Sequence, residues 1–445
     1  RVESAVAGFA VHMVISVVVG ALFGVLVRHQ SAGAGETVFW GLAYGMFWWY
    51  LGALTLLPLL LGDELSWTAA GARDAFPSLI GHLLYGATVG FVLAFLRRGG
   101  PAPRGLGVGL LVRGVVAGVI PALLLTLVVG ERFGPLAVSS TMMERPWGMV
   151  AAAVFGLGIV AGVGFAVLYP RAPDASGPSL VRGAGYGFLL WTVLGLTIVP
   201  LVERGELAWS AEAVRRVFPT LPAYLLLGVA VALGYNWVDR SWRLLFTAPV
   251  ERAATDEGVG ARTLRAVGRG AVAGGVGGLL FTVVMAQIGF FPTVAGLVGA
   301  SSATTGLIVH LMISLIIGAS YGLLFRRQTH DASSALGWGT AYGFLWWVLG
   351  ALTLLPVFLG GDPTWNADQV ASTFPSLVGH LAYGTGLGLT FYLLEVRYDP
   401  WWLPRSAALS ARVAARRAAL ESSAPAVWTL VVLMAFTVTV AVGGQ

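Results

Sequence analysis

Long apolar stretches separated by short polar ones run through the whole chain. Residues 5–27, 38–61 and 77–96 are almost continuous runs of apolar and small residues, and 303–325, 336–360 and 375–394 repeat the arrangement. Each reaches the ~18–20 residues that an α-helix needs to cross the hydrocarbon core of a bilayer. The breaks between them hold Gly, Pro, Asp and Arg. The pattern predicts an all-α polytopic membrane protein with about twelve spans by that length criterion.

The spans repeat in register. Residues 40–58 read WGLAYGMFWWYLGALTLLP and residues 338–356 read WGTAYGFLWWVLGALTLLP, an offset of 298 positions that takes Tyr44 to Tyr342. The same offset takes His12 to His310, Gly20 to Gly318, Trp67 to Trp365 and His82 to His380. A fainter copy lies 142 positions after the first, matching Tyr44 with Tyr186, Gly20 with Gly162, Pro58 with Pro200 and Trp67 with Trp209. Repetition of this kind is the signature of modular architecture. Each module is read as a first helix ending in Arg28, Arg171 or Arg326, then an aromatic second helix closing at Pro58, Pro200 or Pro356. A short segment follows from Trp67, Trp209 or Trp365 to a Phe-Pro pair that opens a third helix. Thr68, Ser210 and Asn366 are helix N-cap residues for those short segments.

A leading helix precedes the second and third modules, matching Arg113-Gly114 with Arg269-Gly270 at an offset of 156 positions. For the first module, either an upstream helix precedes residue 1, or the unpaired final helix, 426–443, takes its place. The expected organisation is module 1 over 1–104, module 2 over 105–262 and module 3 over 263–400, with a surface helix and the final span over 401–445. Three four-helix modules suggest a pseudo-threefold axis, although linear stacking gives the same repeat signal.

Composition supports the membrane assignment. Apolar residues make up 57% of the 445 and charged residues 11%, against about 25% charged in a soluble domain; the mean hydropathy is +0.81. The net charge of +6 comes from arginine alone, and cysteine is absent, which excludes disulfides and thiolate sites. Arginines crowd the loops after the first and third helices, among them Arg97, Arg98, Arg104, Arg182, Arg240, Arg243, Arg252, Arg262 and Arg405. The other side carries Asp63, Glu64, Asp74, Glu203, Glu206, Asp362 and Asp368. The positive-inside rule places the arginine-rich loops in the cytoplasm and the Trp-to-Phe-Pro segments outside. In a membrane protein this basic balance speaks of topology, and no nucleic-acid partner is expected.

Four of the six histidines fall inside spans: His12 with His82, and His310 with His380. All four lie about five to seven residues from the outer end, roughly 8–10 Å deep at 1.5 Å per residue. Such pairs are open to three readings: hydrogen-bonded packing, axial ligation of a b-type haem, or a metal or proton-handling site. The middle module has Val154 and Tyr224 there. Beyond a haem or a metal at these histidines no cofactor is suggested, and none is the leading expectation. Arg113 and Arg269 lie within apolar segments, where each either snorkels to the interface or contacts an anion or lipid headgroup. No acid lies near the centre of a span. Gly20 with Gly24, Gly86 with Gly90, Gly318 with Gly322, Gly384 with Gly388, and Gly270 with Gly274 and Gly278 are spaced for close helix packing. Trp67, Trp209 and Trp365 suit an interfacial belt. No nucleophile–base pair, P-loop, carboxylate dyad or metalloprotease motif occurs, so no enzymatic activity is expected.

The stretch from Gly339 to Gly384, with its aromatic glycine-rich helix, its Pro-Val-Phe-Leu-Gly-Gly-Asp-Pro turn and Gly379-His380-Leu381, resembles the latter half of YagU-type bacterial inner-membrane proteins. His310-Leu311-Met312-Ile313-Ser314 with Gly318 and Tyr321 is similar to that family's preceding helix. The resemblance covers the first and third modules and implies a bacterial cytoplasmic-membrane location, without a transport activity or cofactor. Three functions follow as expectations. The first is a passive channel or transporter for a small neutral or weakly charged solute. The second is a non-catalytic scaffold subunit of a larger membrane, for example respiratory, complex. The third is a haem electron-transfer protein.

Overall fold

The computed structural model describes residues 5–28, 33–63, 65–97, 108–129, 147–170, 176–246, 259–396 and 422–443. Regular structure there is helical throughout. Grouped by the repeats read from the sequence, the first holds α1 (Ala5–Leu26), α2 (Ala34–Leu61), α3 (Ala69–Asp74) and α4 (Phe76–Arg97). The second holds α5 (Val108–Val129), α6 (Trp147–Leu168), α7 (Ser176–Arg204), α8 (Ala211–Val217) and α9 (Leu221–Phe246). The third holds α10 (Val259–Gln287), α11 (Phe291–Ala295), α12 (Ala303–Phe325), α13 (Ala332–Phe358), α14 (Ala367–Ser372) and α15 (Phe374–Val396), and α16 (Ala424–Gly443) comes last. Among the described residues, nine helices are long and apolar enough to cross a membrane; Val108–Ala122, Ala152–Leu168 and Ala424–Ala435 are shorter apolar helices. The surface helix expected over 405–421 lies outside the described residues.

The second helices do not close at their prolines. Each passes from α-helix into an eight-residue π-helical stretch, Trp49–Leu56, Trp191–Ile198 or Trp347–Leu354, and then continues as α-helix past Pro58, Pro200 or Pro356. The cause is steric and electronic. Proline has no N–H, and its ring crowds the carbonyl four residues back; a wider turn relieves that crowding. Thr55, Thr197 and Thr353 donate their hydroxyls to the carbonyls five residues earlier, at 2.8, 2.9 and 2.7 Å. The helices end at glycine: Gly62 and Gly205 take positive φ as C-caps, and Gly360 does so just beyond the third.

The carbonyls freed by these prolines organise what comes next. Leu54, Leu196 and Leu352 accept backbone N–H bonds from Ser66, Ala208 and Thr364, at 3.1, 3.0 and 2.8 Å. One residue further on, Trp67, Trp209 and Trp365 donate their indole N–H to Thr55, Thr197 and Thr353, at 3.0, 3.1 and 3.0 Å. Each returning segment is thus pinned to its own second helix. Thr68, Ser210 and Asn366 accept from the N–H three residues on, as N-caps of α3, α8 and α14. The interfacial-belt expectation needs correction for Trp365, which is 3% exposed against 68% for Trp67. Trp49 and Trp347 are also buried in the core.

Glycine brings the second and third helices together. A Cβ on Gly41 or Gly86 would overlap the other's backbone, and one on Gly90 would lie 2.6 Å from the Thr37 carbonyl oxygen. Gly183 with Gly228 and Gly339 with Gly384 repeat the approach. Tyr44 and Tyr186 donate to the Val19 and Ala161 carbonyls at 2.8 and 2.9 Å, which ties each second helix to its first. In the third repeat Tyr342 meets Ser320, whose hydroxyl lies 2.7 Å from the Ile317 carbonyl.

The final helix does not stand in for a leading helix of the first repeat. A helix of that kind packs on the first and third helices, as α5 does on α6 and α9, and α10 on α12 and α15. Instead α16 packs on α2 and α13 and on the short helices α3, α8 and α14. Its Val427, Val431 and Met434 face Phe188 of α7 and Phe344 of α13 across an apolar cavity of about 100 Å³. Tyr50 and Thr437 hydrogen-bond at 2.5 Å, and the Ser423 N–H donates to Glu36 at 3.2 Å.

Thr353→Val removes both the hydroxyl that bonds Val348 and the acceptor of a buried indole. We expect a loss of about 1–3 kcal/mol, read as a lower melting temperature in detergent, with a smaller loss for Thr55→Val, where Trp67 is exposed. Equal losses would show that burial of the indole is not what matters.

Candidate functional site

A cavity of about 270 Å³ lies within the third repeat between α10, α12, α13 and α15, under the segment that carries α11. Its walls are mostly apolar, and the few polar groups come from two helices. On α12, His310 and Ser314 stand four residues apart and therefore on one face; on α15, Ser376, His380 and Tyr383 do the same within two turns. The π-helical stretch of α13 supplies Gly350 and Ala351 to the wall, so the proline that widens this helix also shapes the cavity.

Hydrogen bonds hold the two imidazoles in place. The His310 Nε2 lies 3.0 Å from the Gly278 carbonyl, and the His380 Nδ1 lies 2.8 Å from the Ser376 carbonyl. A carbonyl only accepts, so each of these nitrogens carries the proton. In the neutral rings, Nδ1 of His310 and Nε2 of His380 are then acceptors. Ser314 donates to the His310 carbonyl at 2.9 Å, and Tyr383 donates to the Ser314 carbonyl at 2.9 Å.

The sequence brings His310 and His380 to one site, but Phe281 stands against both. Its ring lies 5.3 Å from the His310 ring and 4.6 Å from the His380 ring, edge-on to each. Gly379 makes room for it, since any Cβ there would overlap the phenyl ring. A bis-histidine haem needs its flat macrocycle between the two imidazoles. Phe281 takes part of that space, and the cavity falls below the ~300–1,000 Å³ common for small-molecule pockets. The residues do not fit a haem. Among the described residues, no three His, Asp or Glu side chains gather as a metal site.

In the first repeat, His82 makes the same contact with Ser78, its Nδ1 lying 2.7 Å from that carbonyl. His12 is exposed on α1. In the second repeat, Val154 and Tyr224 occupy the two positions.

Arg113 and Arg269 each meet a carboxylate on a third helix. Arg113 is ion-paired with Asp239, which also lies 3.2 Å from Arg243, and its guanidinium sits near the rings of Tyr235 and Trp242. Arg269 bonds Glu395 at 2.8 Å. Both pairs join a leading helix to a third helix across 126 positions. Asp239 and Glu395 are themselves 156 positions apart, the same offset as the two arginines, and that spacing was the available signal. Arg182, read as a loop residue, lies within α7, ion-paired with the buried Glu36 and 5.3 Å from the ring of Tyr169.

Two predictions follow from these contacts. Arg269→Ala lowers stability by about 1–3 kcal/mol, and in a double-mutant cycle with Glu395→Ala the losses are non-additive; additive losses would show that the pair does not couple the helices. The protein expressed with excess haem gives no Soret band, whereas a stable band lost on His380→Ala would overturn the fit argument.

The chain matches no family model, no curated protein and no solved structure.

Proposed function

We propose that the chain comprises three homologous helical modules arranged about a pseudo-threefold axis filled by α16. It works as a passive membrane channel or transporter for a small neutral or weakly charged solute. The observation that carries this reading is the 270 Å³ cavity beside His310 and His380. A void of that size holds a solute of a few heavy atoms, and the imidazole acceptors select one that donates hydrogen bonds. The α16 helix and its apolar neighbours argue against passage along the central axis, so the path belongs to a module. The location is a bacterial cytoplasmic membrane, with the arginine-rich loops inside.

Gly350→Leu tests the path. A Cβ at this position meets only the Trp346 ring at 3.6 Å, an ordinary contact, so the added side chain grows into the cavity without disturbing the backbone. Proteoliposomes containing the protein should admit urea or glycerol faster than empty liposomes, and Gly350→Leu should lower the rate at least about tenfold, a barrier change near 1.4 kcal/mol. No flux above empty liposomes, together with stoichiometric partner subunits on purification from native membranes, would make the protein a scaffold instead.

A further inference from the structure

α1 has the surface of a buried helix but lacks the cover that its counterparts have. In the third repeat, α12 presses against α10 so closely that a Cβ on Gly274 would lie 2.7 Å from the Gly318 Cα. In the second, a Cβ on Gly162 would lie 2.8 Å from the Gly118 Cα. Gly20 and Gly24 keep the positions of Gly318 and Gly322. The attachment to the third helix is kept as well: Tyr85 donates to the Ser16 carbonyl at 2.5 Å, as Tyr383 does to that of Ser314.

Among the described residues, the opposite face has no cover. A Cβ on Gly24 would meet nothing within 4 Å, and one on Gly20 would meet only the Tyr85 hydroxyl, at 3.2 Å. Within α1 only Val19 and Phe23 are buried. His12 is exposed, whereas His310 at the corresponding position is 6% exposed, bonded to the Gly278 carbonyl and set against Phe281, both on the leading helix. An uncovered imidazole within a membrane span is costly. The final helix, the one span not otherwise placed by the repeat, is committed elsewhere.

We infer that this face of α1 seats a transmembrane helix from outside residues 1–445, packed on α1 as α5 packs on α6 and α10 on α12. The inference rests on the three-repeat reading. The two leading helices define the occupant's chemistry. It runs antiparallel to α1 and carries small residues at three positions four apart, as Gly270, Gly274 and Gly278 do. A bulky apolar residue follows three positions later, where Phe281 stands, and covers His12. It carries no arginine at the place of Arg113 and Arg269, because position 97 is arginine where the other repeats have Asp239 and Glu395. Like charges there repel, so a neutral or acidic residue fits.

The absence of cysteine from the chain makes thiol mapping clean. The probe is residues 259–302 of this protein, with Arg269→Glu and Gly275→Cys, fused ahead of residue 1 of a Val17→Cys variant. A Cβ on Gly275 lies 3.4 Å from the Leu315 side chain, and Val17 is the counterpart of Leu315. Oxidation, or a short bifunctional thiol reagent, should then join the two thiols within one monomer. Labelling of Val17→Cys by a lipid-soluble maleimide should fall at least about tenfold relative to the unfused chain. Adding Gly24→Leu should abolish the cross-link while leaving the melting temperature of the unfused chain unchanged. Failure of the thiols to join, or a cross-link between the α1 helices of two copies instead, would overturn the inference. Neither readout depends on solute flux.

Discussion

A proline in a membrane helix leaves one carbonyl without its helical partner, and in lipid no water replaces it. The organisation of this protein at one end follows from how that carbonyl is met. At Pro58, Pro200 and Pro356 the helix widens into a π-helical stretch, and the carbonyl four residues back receives an N–H from a segment that returns from beyond the helix end. The return fixes the tryptophan, whose indole finds the threonine next to that carbonyl. The short capped helix then starts at the residue after the tryptophan. Backbone satisfaction, π-helical geometry and the position of the short helices form one linked structure. In the third repeat the same widened helix opens the wall of the cavity beside His310 and His380.

Between the helices the governing fact is that apolar surface gains little by leaving lipid, so association depends on close packing and on polar contacts. Glycine-to-glycine contacts supply the first, in the pairs Gly41–Gly86, Gly183–Gly228 and Gly339–Gly384. Tyrosine hydroxyls on buried helix carbonyls and the Arg113–Asp239 and Arg269–Glu395 pairs supply the second. Glu395 lies at the end of α15, and Asp239 lies within the last eight residues of α9.

The short-helix caps Thr68, Ser210 and Asn366 and the meeting of His310 with His380 were legible because each rests on local residue chemistry or on constant spacing. Other features were not. Pro58 reads as a helix end, because a proline's usual effect is to stop a helix, and the widened turn depends on acceptors and donors twelve residues apart. Arg113 reads as snorkelling because its partner Asp239 is distant in sequence. Phe281 gives no signal as an apolar residue in an apolar helix, yet it decides what the histidines are able to hold. The final helix has no repeat partner, and its place among α2, α13 and the short helices comes from packing alone.

The central arrangement is that α16 is held between α2 and α13. It is tested most directly by placing a cysteine pair at Tyr50 and Thr437 in this cysteine-free chain, within native-like membranes. The account predicts that a short bifunctional thiol reagent joins them within one monomer, and that the thiol at 437 resists a lipid-soluble maleimide. A 437 thiol that labels freely from lipid and never joins position 50 would place α16 at the periphery and contradict the account.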